Sequence, residues 1–342
     1  MSGGGLNGLL RLALFALLLP LAGCDRIELP GVIGPDVGQE LFGEGRPRIA
    51  LVTGAEGVSG DYYASAWAAL TQVQTDSGAG VAYLEARTVK DYGTRLLELQ
   101  KKDADLVITF GANSVAAVAA AAAANPEIKY LVADALWPDA IPPNVLVLNY
   151  KGEEAGFVAG YLAGSVSRSH VLGFISSRDN ALTQRYYAGF RDGGAQIRSN
   201  LEIMKGLAGD APTRAHIAAM TNQMQANETD VIFHLIGSAA AGVMDAAAGE
   251  TLWLIGSETD QRALNPDQVL CSLVKRHDLV LPPVIARFLE QGGGREEWLG
   301  FAEDAWEITD PDFSGPVGEE LFSQMLTCRD QIVAGERIVP LE

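Results

Sequence analysis

Along most of this chain, short apolar runs alternate with longer stretches in which apolar residues recur every three or four positions. Ile49-Ala50-Leu51-Val52-Thr53 is a short apolar run closed by Gly54, the length and bounds of a buried strand. Tyr62, Tyr63, Ala66, Trp67 and Leu70 follow at helical spacing. The same reading predicts strands over 81–86, 105–110, 129–133 and 145–148, with helices over 92–100 and 114–124. Ser114 can cap the second of these helices, and Asn125-Pro126 ends it.

The alternation continues. Helices are predicted over 153–164, 181–193, 213–226 and 239–248, and strands over 171–175, 201–204, 230–234 and 252–255. Apolar strands separated by helices mean parallel sheet covered on both faces. So many units divide into two Rossmann-like lobes, one from 46 to 149 and one starting at 150. In open parallel sheets, ligands sit beyond the carboxyl ends of the strands. The loops of interest are therefore 53–61, 110–114, 134–137, 176–182, 236–240 and 256–261.

The amino end has a different pattern. Arg11 precedes an apolar run over 12–19, and Leu21-Ala22-Gly23-Cys24 follows. A positive start, a short apolar core and a small residue at the cut describe a secretory signal. The run is too short to span a bilayer. The cysteine makes the segment resemble a bacterial lipoprotein signal. That resemblance implies removal of 1–23 and a lipid thioether on Cys24. Asp25 then implies retention on the inner membrane, facing the periplasm, if the cell is Gram-negative. Pro30, Gly31, Gly34, Pro35, Gly38, Gly43 and Gly45 make 24–45 read as a flexible tether.

Composition narrows the function. The chain has 342 residues, enough for two cores, and 20% charged residues, as in a globular protein. A formal net charge of −18 argues against nucleic acid as a partner. Beyond Cys24 only Cys271 and Cys328 remain, which could pair or stay as separate core thiols. None of the four histidines stands at metal-ligand spacing to another histidine or to a cysteine. Neither metal nor cofactor is expected.

Phosphate-binding, dinucleotide and nucleophile-elbow patterns are missing. Gly54, Gly57 and Gly60 either bring backbone close to a small ligand or simply turn the chain. His234 ends an apolar strand and reads as a packing residue. A receptor fits these features better than an enzyme. Its loops suit a ring-bearing, polyhydroxylated ligand. Tyr62 and Tyr186 can clamp a ring, and Glu258, Asp260 and Lys275 can supply acceptors and donors for hydroxyls. Ser59 and Gly111, after the first and third strands, complete the candidate contacts. The alternative is that the tyrosines are domain packing and the charges face solvent.

These residues carry a resemblance to the basic membrane protein family of ABC-transporter substrate-binding lipoproteins, which includes purine nucleoside receptors. Ser65-Ala66-Trp67, Phe110-Gly111, Asn125-Pro126 and the strand ending at Asp134 are similar to the family's first lobe. Asn149 and the segment from Glu154 to Gly160 are similar to its crossing into the second. Gly173-Phe174-Ile175, Ala188-Gly189-Phe190, Asp230-Val231-Ile232-Phe233, the segment from Gly256 to Gln261, and Ser272-Leu273-Val274-Lys275 match its later parts.

The resemblance implies a periplasmic-binding-protein type I fold, closing on its ligand about a hinge with several crossovers. It implies a first lobe of 46–149 and 256–291, with a second lobe and hinge-bracing extension of 150–255 and 292–342. It also implies a monomer that delivers a small molecule to permease subunits and performs no chemistry. Tyr62 takes the position of a stacking phenylalanine and Tyr186 the aromatic position opposite. Glu258 stands where the family has a ribose-binding aspartate, and Lys275 matches the ribose-side lysine. Val58-Ser59 replaces the family's Asn-Asp, and Tyr63 replaces an asparagine. Two other roles share this fold: a ligand-sensing or envelope-regulatory protein without a transporter, and an enzyme acting on a nucleoside.

Overall fold

The computed structural model describes residues 41–341 apart from Gly60, Ala211 and Glu250. The expected signal, Cys24 and most of the expected tether lie outside the described residues. The last tether residues do not hang free: Leu41 and Phe42 are buried against the first lobe. Their apolar side chains outweigh the glycine-rich composition that made this stretch read as linker.

The first sheet contains β1 (Arg48–Thr53), β2 (Gly80–Glu85), β3 (Leu106–Phe110), β4 (Lys129–Ala133), β5 (Val145–Tyr150) and β11 (Arg295–Leu299). Its order is β11-β5-β4-β3-β1-β2, and every pairing is parallel. Successive residues of β1 enter different cores. Ile49 and Leu51 face one side, with α1 (Asp61–Ser77) and α8 (His277–Gln291). Ala50 and Val52 face the other, with α2 (Val89–Lys101) and α3 (Ala112–Ala124). Burial on both faces is why the strand reads as an unbroken apolar run.

The second sheet contains β6 (Val171–Ser176), β7 (Glu202–Leu207), β8 (Val231–Leu235), β9 (Trp253–Glu258), β10 (Val269–Lys275) and β12 (Trp306–Ile308). Its order is β12-β10-β9-β8-β6-β7, parallel except for the edge strand β12. On one face, Phe157 of α4 (Gly152–Val166) and Phe190 of α5 (Ala181–Ile197) pack with Phe174 and Phe233. On the other, Ile217 of α6 (Arg214–Ala226) and Val243 of α7 (Ala241–Ala247) pack with Ile175 and Ile232. The carboxyl-terminal α9 (Glu319–Val333) lies against α4. Two Rossmann-like lobes are thus present.

The chain divides between them differently from the expectation. Residues 256–275 were expected in the first lobe, but β9 and β10 pair side by side in the second sheet. The chain crosses at Arg276, builds α8 and β11 in the first lobe, and returns after Leu299. The cause is local. β9 and β10 are joined by a single short turn, Arg262–Leu264, rather than by a full helix, so the strand–helix alternation lapses where the lobe assignment is needed.

α4 and α5 touch backbone to backbone. A Cβ on Gly156 would stand 2.2 Å from the Tyr186 carbonyl oxygen, and one on Gly189 would stand 2.0 Å from that of Glu153. This contact places the Tyr186 ring over the start of α4, where a Cβ on Gly152 would lie 2.4 Å from the ring. Gly93, on the exposed face of α2, has nothing within 4 Å of the same position. Gly156→Ala is therefore expected to cost about 1–3 kcal/mol by overpacking. Gly93→Ala is expected to gain about 0.4–1 kcal/mol through the unfolded chain. Urea denaturation of the two variants checks both signs; equal effects would contradict the packing described.

Candidate functional site

Three charged side chains meet at three strand ends. Lys275 is the last residue of β10, Glu258 the last of β9, and Asp134 directly follows β4. Lys275 is 3% exposed. Its Nζ donates to Asp134 Oδ2 at 2.7 Å and to Glu258 Oε1 at 3.0 Å. Asp134 belongs to the first lobe and Glu258 to the second, so one ammonium bridges the lobes. Both acids have left-handed backbones, with φ of 55° at Asp134 and 67° at Glu258. Such a conformation costs of order 1–3 kcal/mol and persists only where the surroundings enforce it.

Aromatic rings wall this triad. Lys275 Nζ lies 5.5 Å from the Tyr62 ring centroid, 5.0 Å from Tyr150 and 5.8 Å from Trp306. The Tyr62 hydroxyl donates to Asp134 Oδ2. The Tyr186 ring meets Trp306 edge-on at 5.8 Å, and its hydroxyl feels the Lys275 charge. Tyr150 places its hydroxyl 2.5 Å from His277 Nδ1. Buried Asn149 fixes the loop that carries Asp134. Its Oδ1 accepts the Ala135 N–H at 3.0 Å, and its Nδ2 donates to the Ala135 carbonyl at 2.9 Å. At the rim, Arg178 Nη2 of the second lobe donates to Asn113 Oδ1 of the first at 3.2 Å.

Burial and charge oppose one another here. Burial favours a neutral Lys275, but Asp134 and Glu258 outweigh it and hold the amine well above its usual range. The ammonium stays charged. Burial, reinforced by the Asp134 carboxylate, also raises the Tyr62 and Tyr150 hydroxyls, so both remain hydrogen-bond donors. The arrangement can present donors and carboxylate acceptors to a polar ligand between flat apolar faces.

The structure brings Tyr62, Tyr186, Glu258 and Lys275 together. It places two other sequence candidates, Ser59 and Asp260, elsewhere, and sets Gly111 beside the cluster, where its N–H donates to the Ala133 carbonyl at 2.8 Å. Ser59 is exposed and donates to the Glu56 carbonyl at 3.0 Å. Gly111 caps α3 with φ of 77°. Asp260 is exposed and accepts from the Arg262 N–H at 3.1 Å and the Ser272 hydroxyl at 3.3 Å; a local turn uses this carboxylate. Sequence reasoning missed Asp134, Tyr150, His277 and Trp306 as site residues. Asp134 and Tyr150 had a signal, since they follow the predicted strands 129–133 and 145–148 by one and two residues. Cys271 and Cys328 are separate buried thiols. Among the described residues, no group of His, Cys, Asp and Glu side chains could hold a metal ion.

An aromatic-walled charge cluster between two lobes, at the carboxyl ends of parallel strands, defines a two-lobed binding protein of the periplasmic type I fold. Solved structures agree. A solute-binding protein of an ABC transporter system from Aeropyrum pernix K1 superimposes with a TM-score of 0.71 at 17% identity, covering 86% of this chain and 94% of that one. A transcriptional activator of the comK gene from Bacillus halodurans gives a TM-score of 0.71 at 18% identity, covering 85% and 99%. Residues 51–342 match the Bmp model, that of PnrA-like ABC transporter substrate-binding proteins, and the chain belongs to that family. It is 24% identical to Basic membrane protein D of Borreliella burgdorferi strain JD1 over 75% of this chain and 77% of that protein. It is also 24% identical to the ABC transporter nucleoside-binding protein BmpA of Lactococcus lactis subsp. cremoris MG1363, over 71% of each.

His277, in the cluster, and His234, in the second lobe's core, are both fully buried, and burial pushes each imidazole down from 6.5 to about 4. Between those values the unfolded chain binds more protons than the folded one. Their contribution to stability is therefore complete above pH 6.5 and is lost as pH falls towards 4. Each is expected to account for roughly 3 kcal/mol of that loss. Both nitrogens of His234 lack a partner, so His234→Leu should flatten the acid side of a stability–pH curve. A variant curve parallel to that of wild type would contradict this.

Proposed function

We propose that this chain is the lipid-anchored receptor of an ABC uptake transporter and that it binds a purine nucleoside between its lobes. The observation that carries the reading is the buried Lys275, held between one carboxylate from each lobe and walled by Tyr62, Tyr150, Tyr186 and Trp306. A ring fits between aromatic faces at low ordering cost. Ribose hydroxyls can donate to Asp134 and Glu258 and accept from Lys275. A nucleoside-binding relative supports this ligand class, and family membership favours transport over sensing or turnover. The Lys275–Asp134 and Arg178–Asn113 bridges cross the cleft, so a ligand enters when the lobes part and is enclosed when they meet. Cys24, beyond the described residues, would carry the lipid, and the body would face permease subunits.

Calorimetric titration with inosine, guanosine, adenosine and their free bases tests the ligand. Wild type is expected to bind a purine nucleoside and to rank nucleosides above bases. Asp134→Asn and Glu258→Gln should each weaken nucleoside binding about tenfold or more, because hydrogen bonds to charged groups contribute about 1.5–3 kcal/mol. Binding of free bases should change far less. If no purine nucleoside binds, the ligand class is wrong. Cys24→Ser should release the protein from membranes; retention in the membrane fraction would rule out the anchor.

A further inference from the structure

Trp306 reaches the cleft from an unusual direction. It lies on β12, the antiparallel edge strand of the second sheet, directly opposite Lys275 in the ladder. Its ring packs edge-on against Tyr150 and Tyr186, with both centroids at 5.8 Å. The residue is 5% exposed, and its Nε1 has no hydrogen-bond partner. Around it the polar groups are paired: Tyr62 with Asp134, Tyr150 with His277, and Lys275 with both acids. His277 Nε2 also lacks a partner, but the rings of Tyr62, Phe110 and Tyr150 surround that imidazole. An indole N–H can only donate, and buried tryptophan nitrogens usually find an acceptor.

We propose that Trp306 is a specificity-determining ligand contact. Its indole forms the inner wall of the cleft, and its N–H donates to an oxygen of the ligand's sugar. The sugar is the acceptor because Trp306 faces Lys275 across the ladder, and Lys275 with its two acids serves the hydroxyls. This rests on the nucleoside reading of the cleft. The site then requires a glycoside oxygen at its inner end and selects nucleosides over bare bases.

Calorimetric titration of wild type and Trp306→Phe with inosine and with hypoxanthine tests it. Loss of the N–H should weaken inosine binding about tenfold and leave hypoxanthine binding unchanged. An equal loss for both ligands would mean that the ring only packs, and an unchanged affinity for inosine would mean that the N–H is not used. Either result overturns the proposal while leaving the nucleoside reading intact. Absence of inosine, guanosine and adenosine binding by wild type overturns both. If Trp306→Phe does not fold, nitrogen–proton spectra of the five wild-type indoles carry the test. One indole signal should move with inosine and stay still with hypoxanthine; five unmoved signals overturn the proposal.

Discussion

Burying one ammonium constrains much of this molecule. Taking the Lys275 charge out of water is costly and is offset only where opposite charges are close and well aligned. Two carboxylates meet that requirement, one from each lobe. They can do so because β4, β9 and β10 end at the same place, and because the chain accepts left-handed turns at Asp134 and Glu258. The relative position of the lobes and the geometry of the site are thus settled by the same contact. Removing either acid leaves a charge underpaired in a dry place, where the penalty is several times that of a surface ion pair.

The hinge supports this arrangement by tying its crossings together. The Lys151 N–H donates to the Leu299 carbonyl at 2.7 Å, and the Arg276 N–H donates to that of Ala305 at 3.0 Å. Glu154, at the start of α4, accepts the Phe301 N–H at 2.7 Å. Arg185 of α5 pairs with Glu153 and covers the Trp298 ring of β11 at 4.0 Å. Three neighbouring crossings bound to one another favour rigid lobes turning about a common line. The glycine contact between α4 and α5 brings Tyr186 to that line, so the second lobe's tyrosine is fixed by helix packing rather than by its loop.

Much of the fold was legible because strands buried on both faces leave unbroken apolar runs, as β1 and β3 do. β11 and β12 escaped that rule. β11 is an edge strand with the sequence Arg-Glu-Glu-Trp-Leu, and β12 has three residues in antiparallel pairing. Neither has an apolar run to announce it. The site divided along the same line. Tyr62, Tyr186 and Glu258 stand on predicted helices or beyond a predicted strand, Lys275 ends a strand that the pattern reading left out, and the family resemblance singled out all four. Asp134 was one of many acids following a strand. His277 and Trp306 had no local signal. Their positions depend on how the chain crosses between lobes, which periodicity does not encode. Ser59 and Asp260 show the converse: loop residues of suitable chemistry that serve their own turns.

The bridge from Lys275 to Asp134 is open to direct measurement. Spin labels at Leu97→Cys in the first lobe and Leu264→Cys in the second use exposed positions, while Cys271 and Cys328 are buried. Pulsed electron resonance then reads the distance between lobes. With Asp134 in place, a short-distance population should dominate. With Asp134→Asn, the ammonium loses its first-lobe partner and the distribution should shift to longer distances. An identical distribution in the two proteins would mean that the buried ion pair does not hold the lobes together.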